Sequence, residues 1–131
     1  QLERYPSLLD KRRKIIEYYN SAFKGLNIDA IAHYTHNVTS SGHLYLMRLI
    51  GKDSEFRNNF IIKMAENGVA CNVHYKPLPM HTAYKKLGFD ISNYPNAYSQ
   101  FTNEVTLPLH TLMSMEDVKY VTENVIKLMG E

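Results

Sequence analysis

The sequence predicts a small α+β domain in which a three-stranded antiparallel or mixed sheet is covered on one face by helices. Three observations lead to this fold class. Long segments carry apolar residues at helical spacing, short segments between them have strand character, and neither two-residue hairpin turns nor regular strand–helix–strand alternation is present. The chain has 131 residues, 44% apolar and 21% charged, which is enough for one hydrophobic core.

The first predicted helix covers residues 5–23, where apolar side chains recur at helical spacing on one side and charged side chains occupy the other. The apolar side consists of Leu8, Ile15, Ile16, Tyr19 and Phe23. Gly25 is placed to end this helix, and the polar residues 35–42 predict a loop. Residues 43–50 are almost all apolar and lie between two glycines, which predicts a buried or central strand.

A second helix is predicted to begin at Asp53 or Ser54, since either side chain can cap it. Its inward side chains are Phe56, Phe60, Ile61 and Met64. Asn67 and Gly68 supply the residues that end a helix in the left-handed conformation. Residues 69–73 then alternate between apolar and polar side chains, which predicts a half-buried strand.

Pro77 and Pro79 exclude a continued strand or helix directly after this point. The remaining short elements are an extended loop over residues 76–79, short helices near residues 80–87 and 93–101, and a third strand over residues 104–107. Ser114 and Asp117 form a capping-box pattern before the last helix, which Gly130 ends. Its predicted buried stripe is Val118, Val121, Val125 and Leu128.

Charge and cysteine content exclude several classes of protein. With 15 basic and 13 acidic residues, the net charge of +2 gives no broad field for nucleic acid or an anionic membrane. The basic run over residues 11–14 lies on the first helix and is interpreted as a solvated face. No glycine-rich phosphate loop, secretory signal or membrane-length apolar run is present. Cys71 has no disulfide partner, so a cytoplasmic location is expected.

The densest group of chemically versatile side chains follows the second predicted strand. His74, Tyr75, Lys76 and His81 lie within eight positions, in a segment stiffened by prolines. Such groups can bind a phosphate or a sugar hydroxyl, or move a proton near neutral pH. The alternative is that His74 and Tyr75 are boundary residues of a strand with no chemical role, and the pattern alone leaves both interpretations open.

Two other kinds of site are disfavoured. A metal site built from His33, His36, His74 and His81 lacks a carboxylate at ligand spacing. A nucleophilic pair of Cys71 and His74 would need two strand positions three residues apart to share a face, whereas that spacing places them on opposite faces. Cys71 is therefore predicted to be a small buried apolar residue.

Five motifs occur in order along the chain. They are His-Leu-Tyr-Leu-Met-Arg at 43–48, Phe-Arg at 56–57 before a helix ending Asn-Gly-Val at 67–69, Val-His-Tyr-Lys-Pro-Leu at 73–78, Tyr-Pro-Asn-Ala at 94–97, and Leu-Pro-Leu at 107–109 before a valine-rich helix. Through these motifs essentially the whole chain resembles the C-terminal domain of DegT/DnrJ-type nucleotide-sugar aminotransferases.

The resemblance implies the aspartate-aminotransferase fold, that is, fold type I of pyridoxal-phosphate enzymes, with residues 1–131 forming the small C-terminal domain. It implies an enzyme that moves an amino group, usually from glutamate, to a keto sugar carried on a nucleotide, in polysaccharide or amino-sugar biosynthesis. The Schiff-base lysine and most cofactor contacts of that family lie in a larger N-terminal domain that this chain does not contain. The chain alone is therefore expected to be inactive and to bind no cofactor. Its start at Gln1 rather than Met raises the same expectation of a longer parent.

For the site, the resemblance implies that His74 and Tyr75 line the substrate cleft and orient the sugar or its phosphates. His81 is a further substrate-binding candidate, although many family members place their second histidine directly after Pro-Leu. The first helix is expected to pack toward the large domain, which would explain Tyr5 and Tyr18 near its surface. A homodimer is also implied, with no nucleic-acid, membrane or metal partner.

Alternatives remain at this level. The chain is also compatible with a freestanding nucleotide-sugar-binding or regulatory module without catalysis. A hydrolase using His74 and His81 has less support, because no nucleophile or carboxylate partner is evident. Within the family, both amination and a cofactor-linked dehydration occur, and the residues that choose between them lie largely outside this chain.

Overall fold

The computed structural model describes residues 2–130, so Gln1 and Glu131 lie outside the described residues. The helices are α1 (Tyr5–Ala22), α2 (Ser54–Glu66), α3 (Thr82–Lys86), α4 (Pro95–Asn103) and α5 (Met115–Met129), and the strands are β1 (Ile28–Ala30), β2 (Tyr45–Leu49) and β3 (Glu104–Leu107). Short 3₁₀ turns occupy Leu2–Arg4, Leu78–Met80 and Ile91–Asn93. These elements form the predicted α+β fold.

The three strands form one antiparallel sheet in the order β1-β2-β3. Tyr45 pairs with Leu107 and Met47 with Val105, so these residues share one face of the sheet. Leu46 pairs with Thr106 and therefore lies on the other face. The antiparallel arrangement predicted as one of two options is thus the one observed.

The hydrophobic core lies between one face of the sheet and helices α1, α2 and α5. Side chains at alternate positions of β2 and β3 meet the inward stripes of these helices. The buried core residues are Ile15, Ile16, Tyr19, Phe23, Tyr45, Met47, Leu49, Phe60, Met64, Val69, Val105, Leu107, Val118, Val121, Val125 and Leu128. The predicted stripe of the last helix is fully included, which confirms its assignment.

The predicted strand over residues 69–73 is wrong as a regular element. Only Asn72 makes a bridge, exchanging both backbone hydrogen bonds with Thr106 at 3.1 and 2.8 Å. The backbone bond that would extend the ladder is from the His74 N–H to the Glu104 carbonyl, but this N–H donates to the Glu104 side chain at 2.9 Å instead. The third strand is instead β1, which the sequence analysis placed in no element because three residues with Asp29 at their centre show no periodicity.

The helix boundaries follow the sequence signals closely. Asp53 caps α2 by accepting the N–H of Phe56 at 2.9 Å, and the predicted capping box of Ser114 and Asp117 is present at the start of α5. Gly25 has a φ of +88°, a backbone conformation that favours glycine after a helix. The predicted helix over residues 80–87 divides at His81 into a 3₁₀ turn and α3.

The sheet face opposite the core is incompletely covered. Leu44 and Leu46 on this side line a cavity of about 420 Å³ together with Ile31 and Val38, which are about half exposed. None of the helices between residues 2 and 130 combines the length and apolar character needed to cross a membrane.

Candidate functional site

His74 lies two residues after Asn72, at the point where backbone pairing with β3 ends. In a continued antiparallel ladder the Asn72–Thr106 pair would be followed by a hydrogen-bonded pair of His74 and Glu104. The backbone N–H of His74 instead donates to Oε2 of the Glu104 side chain at 2.9 Å. The Glu104 carbonyl that the ladder would have used accepts Nη1 of Arg57 at 3.3 Å. Side chains thus satisfy both ends of the interrupted ladder and hold the His74 backbone against the sheet.

The imidazole of His74 is the outer end of a chain of three side chains. The Thr106 hydroxyl donates to Oε1 of Glu104 at 2.5 Å, and Nδ1 of His74 lies 2.9 Å from the same hydroxyl oxygen. Glu104 and Thr106 are two positions apart on β3, so both project to the face opposite the core. The ring of the half-buried His74 is therefore fixed in orientation by a buried carboxylate.

Glu104 is 1% exposed, and its electrostatic environment is unusual. Burial raises the pKa of the Glu104 carboxyl above its ordinary value, against the opposing hydrogen bonds from Thr106 and the His74 N–H and the nearby charges of His74 and Arg57. Burial likewise lowers the pKa of Arg57, while the Glu104 charge opposes that shift. A carboxylate and a guanidinium thus lie buried together directly behind His74.

The Tyr75 side chain points away from the hydrogen-bonded side chains of Glu104, Thr106 and His74. Its side chain is 72% exposed, and its ring meets the His74 ring edge-on with 4.6 Å between centroids. The peptide bond between His74 and Tyr75 is cis. The structure therefore brings the two predicted residues into ring contact, with the histidine anchored and the phenol open to solvent.

His81 belongs to a separate part of the same loop. Its ring Nε2 lies 3.3 Å from the carbonyl of Lys76, and its own carbonyl accepts the N–H of Lys85 at the start of α3. These contacts tie His81 to the loop rather than to β3. The Lys76 side chain is exposed. The predicted group therefore divides into an anchored pair, His74 and Tyr75, and a peripheral His81.

Sequence reasoning missed Glu104, Thr106 and Arg57 as parts of this site. A signal for the first two was available: Glu104 and Thr106 are polar residues at alternate positions of a strand whose other positions, Val105 and Leu107, are apolar core residues. A buried strand with a polar face indicates that those polar groups have partners. Arg57 gave no comparable signal, because only the packing of α2 in the folded structure shows that this arginine is buried beside Glu104.

Arg48, the single charge in β2, lies beside Glu104 on the same sheet face, since the two residues are paired across the strands. Its Nε donates to Oδ1 of Asn103 at 3.1 Å and its Nη2 to Oγ of Ser99 at 3.2 Å. Arg48 therefore fixes α4 over the sheet, close to the buried carboxylate.

Cys71 packs against the hydrophobic core and His33 is buried, both apart from His74 and Tyr75. Burial raises the pKa of the Cys71 thiol to about 12, which keeps it protonated and unreactive. His33 is buried against the Tyr45 ring and hydrogen-bonds Ser40 at 3.0 Å. Within residues 2–130 no group of three or more His, Cys, Asp or Glu side chains is arranged to hold a metal ion.

The lysines decide whether this chain can hold pyridoxal phosphate, the cofactor implied by its resemblance. A Schiff-base lysine must project into an enclosed site beside groups that bind the phosphate and the ring. Between residues 2 and 130 every lysine is exposed except Lys52, which is half-buried with its ammonium 4.1 Å from the centre of the Phe56 ring. The lysines of the described residues therefore lack the enclosed surroundings that a Schiff-base lysine needs.

Comparison with known proteins gives a consistent result. The model of the DegT/DnrJ/EryC1/StrS aminotransferase family matches residues 1–126 of this chain. The Streptococcus pneumoniae protein Spr1654, provisionally assigned as a sugar aminotransferase, is 52% identical and superposes with a TM-score of 0.97 over 99% of this chain and 33% of its own. It has been solved in pyridoxal-phosphate, pyridoxamine-phosphate and apo forms.

Curated relatives are more distant. A Helicobacter pylori UDP-4-amino-4,6-dideoxy-N-acetyl-β-L-altrosamine transaminase is 27% identical over 97% of this chain and 34% of its own length. The Bacillus subtilis spore coat polysaccharide biosynthesis protein SpsC is 28% identical over 95% of this chain and 33% of its own. The chain thus spans about a third of these relatives, and its architecture matches the C-terminal portion of fold type I aminotransferases.

Proposed function

The chain belongs to the DegT/DnrJ/EryC1/StrS aminotransferase family, and we propose that it is the small C-terminal domain of an enzyme that aminates a nucleotide-linked keto sugar. The amino donor is glutamate and the cofactor is pyridoxal phosphate, which supplies the electron sink for amino transfer when bound. The observation that carries the proposal is the similarity to Spr1654, the provisionally assigned sugar aminotransferase. The two proteins are 52% identical and superpose with a TM-score of 0.97 over 99% of this chain. The polysaccharide and amino-sugar names of the other relatives support the pathway class.

His74 and Tyr75 are the proposed substrate contacts. The chain of hydrogen bonds through Thr106 fixes the His74 ring, while the adjacent Tyr75 phenol is exposed and free to bond. A fixed imidazole and an exposed phenol suit recognition of sugar hydroxyls or phosphate oxygens, because such sites gain most from groups that are held in place before binding. His81 is proposed as a peripheral contact to the same ligand.

The rest of the parent polypeptide is the proposed partner of the open sheet face. The cavity lined by Ile31, Val38, Leu44 and Leu46 is apolar, and relatives are about three times as long as this chain. An apolar surface of this kind favours burial against another domain. Tyr5 on α1 is 44% exposed and is available to the same domain, whereas Tyr18 packs against this chain's own core.

The cofactor, the second subunit and the location follow from the same proposal. The lysine that carries pyridoxal phosphate is contributed by the larger domain, because the lysines of this chain are placed on its surface. A homodimer completes the cleft, and the parent acts in the cytoplasm, where nucleotide sugars are made available to such enzymes. The chain on its own has no activity.

The coding sequence upstream of residue 1 tests the proposal at once. An open frame of about twice this length, with a lysine in an aminotransferase setting, supports the C-terminal-domain assignment. A histidine in place of that lysine would redirect the reaction to dehydration. A start codon at residue 1 would overturn the assignment in favour of a freestanding module.

Titration separates the freestanding module from the domain directly. A UDP-sugar is added to the 131-residue chain and followed by calorimetry, with UDP alone as the control. The proposal expects no saturable binding at millimolar concentrations, since most of the cleft is missing. Saturable binding that depends on the sugar would favour a binding module without catalysis.

A further inference from the structure

The hydrogen-bond chain behind His74 has a defined direction. When the Glu104 carboxyl is ionised it can only accept, so the single proton of the Thr106 hydroxyl is used in donating to Oε1 of Glu104. Its oxygen can then only accept from His74, so the imidazole must carry a proton on Nδ1. Nε2 of His74 has no hydrogen-bond partner within residues 2–130, and it is not among the buried unpartnered atoms. In the neutral ring, Nε2 therefore presents a lone pair to solvent.

We propose that Glu104 is a positioning residue, which acts through Thr106 to hold His74 as the Nδ1-protonated tautomer with Nε2 as a hydrogen-bond acceptor for substrate. The substrate part of this proposal rests on the proposed function, in which the donor to Nε2 is a sugar hydroxyl. The tautomer part concerns only residues of this chain and stands or falls separately.

The geometry of Glu104 favours this role over simple packing. Both carboxylate oxygens are used on residue 74, one directly on its backbone N–H and one through Thr106 on its ring. Burying a carboxylate at 1% exposure is costly unless hydrogen bonds and charges compensate. Arg57 provides one such charge nearby. Both hydrogen-bonding oxygens of this buried carboxylate thus serve to fix His74, in both its position and its protonation pattern.

Replacing the Glu104 carboxylate by an amide reverses the direction of the hydrogen bonds through Thr106. In Glu104→Gln the amide oxygen must face the His74 N–H, since an NH₂ group there would oppose another donor. The NH₂ group then faces Thr106 and donates to its oxygen. The Thr106 proton is released to point at Nδ1 of His74, which becomes an acceptor. The favoured neutral tautomer of His74 thereby changes to Nε2-protonated, with almost no change in side-chain volume.

Long-range proton–nitrogen correlation spectra of the ¹⁵N-labelled 131-residue chain test this directly, because they distinguish protonated from unprotonated ring nitrogens. The chain has six histidines, and the His74 signals are assigned by their loss in His74→Gln. At a pH where the ring is neutral, the expected result is protonated Nδ1 in the native chain and protonated Nε2 in Glu104→Gln. An unchanged tautomer in Glu104→Gln, or a native Nε2-protonated ring, overturns the proposal.

Two substitutions of Thr106 provide matched controls. Thr106→Ser keeps the hydroxyl and is expected to retain the Nδ1-protonated ring, whereas Thr106→Val keeps the shape and is expected to yield a mixture of tautomers. Retention of only the Nδ1-protonated tautomer in Thr106→Val would contradict the proposal that Glu104 acts on His74 through the Thr106 hydroxyl. Circular dichroism of each variant confirms that the fold is intact, and in a variant that does not fold the same spectra are read in the intact gene product.

Kinetics of the natural gene product separate this inference from the proposed function. Glu104→Gln is expected to lower kcat/KM for the keto sugar roughly tenfold, the value of one lost hydrogen bond, while the glutamate half-reaction changes little. Equal losses in both half-reactions would contradict a role in sugar positioning. Absence of any amino transfer in the unsubstituted protein would refute the proposed function and leave the tautomer result standing.

Discussion

Glu104 lies opposite His74 at the edge of the sheet, and its side chain accepts the His74 N–H at 2.9 Å where a continued strand would offer the Glu104 carbonyl. This exchange of a backbone partner for a side-chain partner ends the ladder one pair after Asn72. The chain can then leave the sheet at His74 without an unsatisfied donor. The same carboxylate therefore ends the pairing and orients the first residue of the candidate site.

Arg57 is expected to be essential for the stability of this arrangement. Its guanidinium donates to the carbonyls of Phe101 and Glu104 at 2.9 and 3.3 Å and is 3% exposed. Arg57→Met leaves these two carbonyls and Oδ1 of Asn58, which accepts from Nε at 2.8 Å, without their donor. It also leaves the Glu104 carboxylate without a neighbouring cation, and together these losses should cost about 3 kcal/mol in the free energy of unfolding. Urea denaturation of the native chain and the variant measures this loss of unfolding free energy.

The matched control is Arg13→Met, because Arg13 makes an exposed ion pair with Glu17 at 3.8 Å. This pair contributes less than about 1 kcal/mol, and the Arg13 guanidinium, 4.6 Å from the centre of the Tyr34 ring, adds about 0.5–1 kcal/mol. Equal losses for the two substitutions would show that the buried guanidinium has no special role.

Glu104 should give the fold a pH dependence of known sign. Burial raises the pKa of this carboxyl in the folded chain above its ordinary value, so the folded state binds the proton more tightly than the unfolded state. Its contribution is most favourable below the ordinary glutamate range and is lost as the pH rises through the raised value. The unfolding free energy of Glu104→Gln minus that of the native chain should therefore increase over this window.

Urea denaturation of both proteins at several pH values gives this difference, in which titrating groups remote from Glu104 and His74 cancel. A difference that stays constant with pH, or decreases, would mean that the Glu104 carboxyl is not destabilised by burial.

Cys71 should be unreactive in the folded chain. Burial raises the pKa of its thiol to about 12, and only the thiolate reacts with iodoacetamide. Because each pKa unit changes the thiolate fraction tenfold, alkylation at pH 8 should be at least ~100-fold slower in the native chain than in urea. Mass spectrometry follows the reaction at this single cysteine. Comparable rates in the two conditions would indicate an accessible thiol.

Ser114 should contribute measurably through its cap on α5. Its hydroxyl accepts the backbone N–H of Asp117 at 3.1 Å, and the sequence pattern predicts this bond. Ser114→Ala should lower the unfolding free energy by about 1 kcal/mol. Ser114→Thr retains the hydroxyl and should lose much less. If the two variants are equally destabilised, the effect does not come from the cap.

The parts of the fold that could be predicted from sequence are those specified by local periodicity and capping. The stripe from Val118 to Leu128 and the cap at Ser114 lie within one helix, so nearby residues determine them. β1 could not be predicted, because its three residues become a strand only by pairing with β2. Alternation at residues 69–73 was misleading, since the Glu104 side chain takes the His74 N–H that would extend the pairing beyond Asn72.

The same distinction applies to the candidate site. His74 and Tyr75 are adjacent in sequence and form a recognisable motif, and the structure brings their rings into contact. Their substrate role is still a prediction. Glu104 is 30 residues away and is joined to His74 only by the tertiary fold. Long-range polar partners of this kind carry little signal in a single sequence, beyond the polar face of an otherwise apolar strand.

The central claim is that this chain completes a nucleotide-sugar aminotransferase. Its most direct test is transfer of label from [¹⁵N]glutamate to UDP-linked keto sugars by the natural gene product, followed by mass spectrometry of the sugar. The expected result is label in the sugar that depends on pyridoxal phosphate and is absent with the 131-residue chain alone. A cofactor-loaded gene product that aminates none of these sugars would contradict the claim.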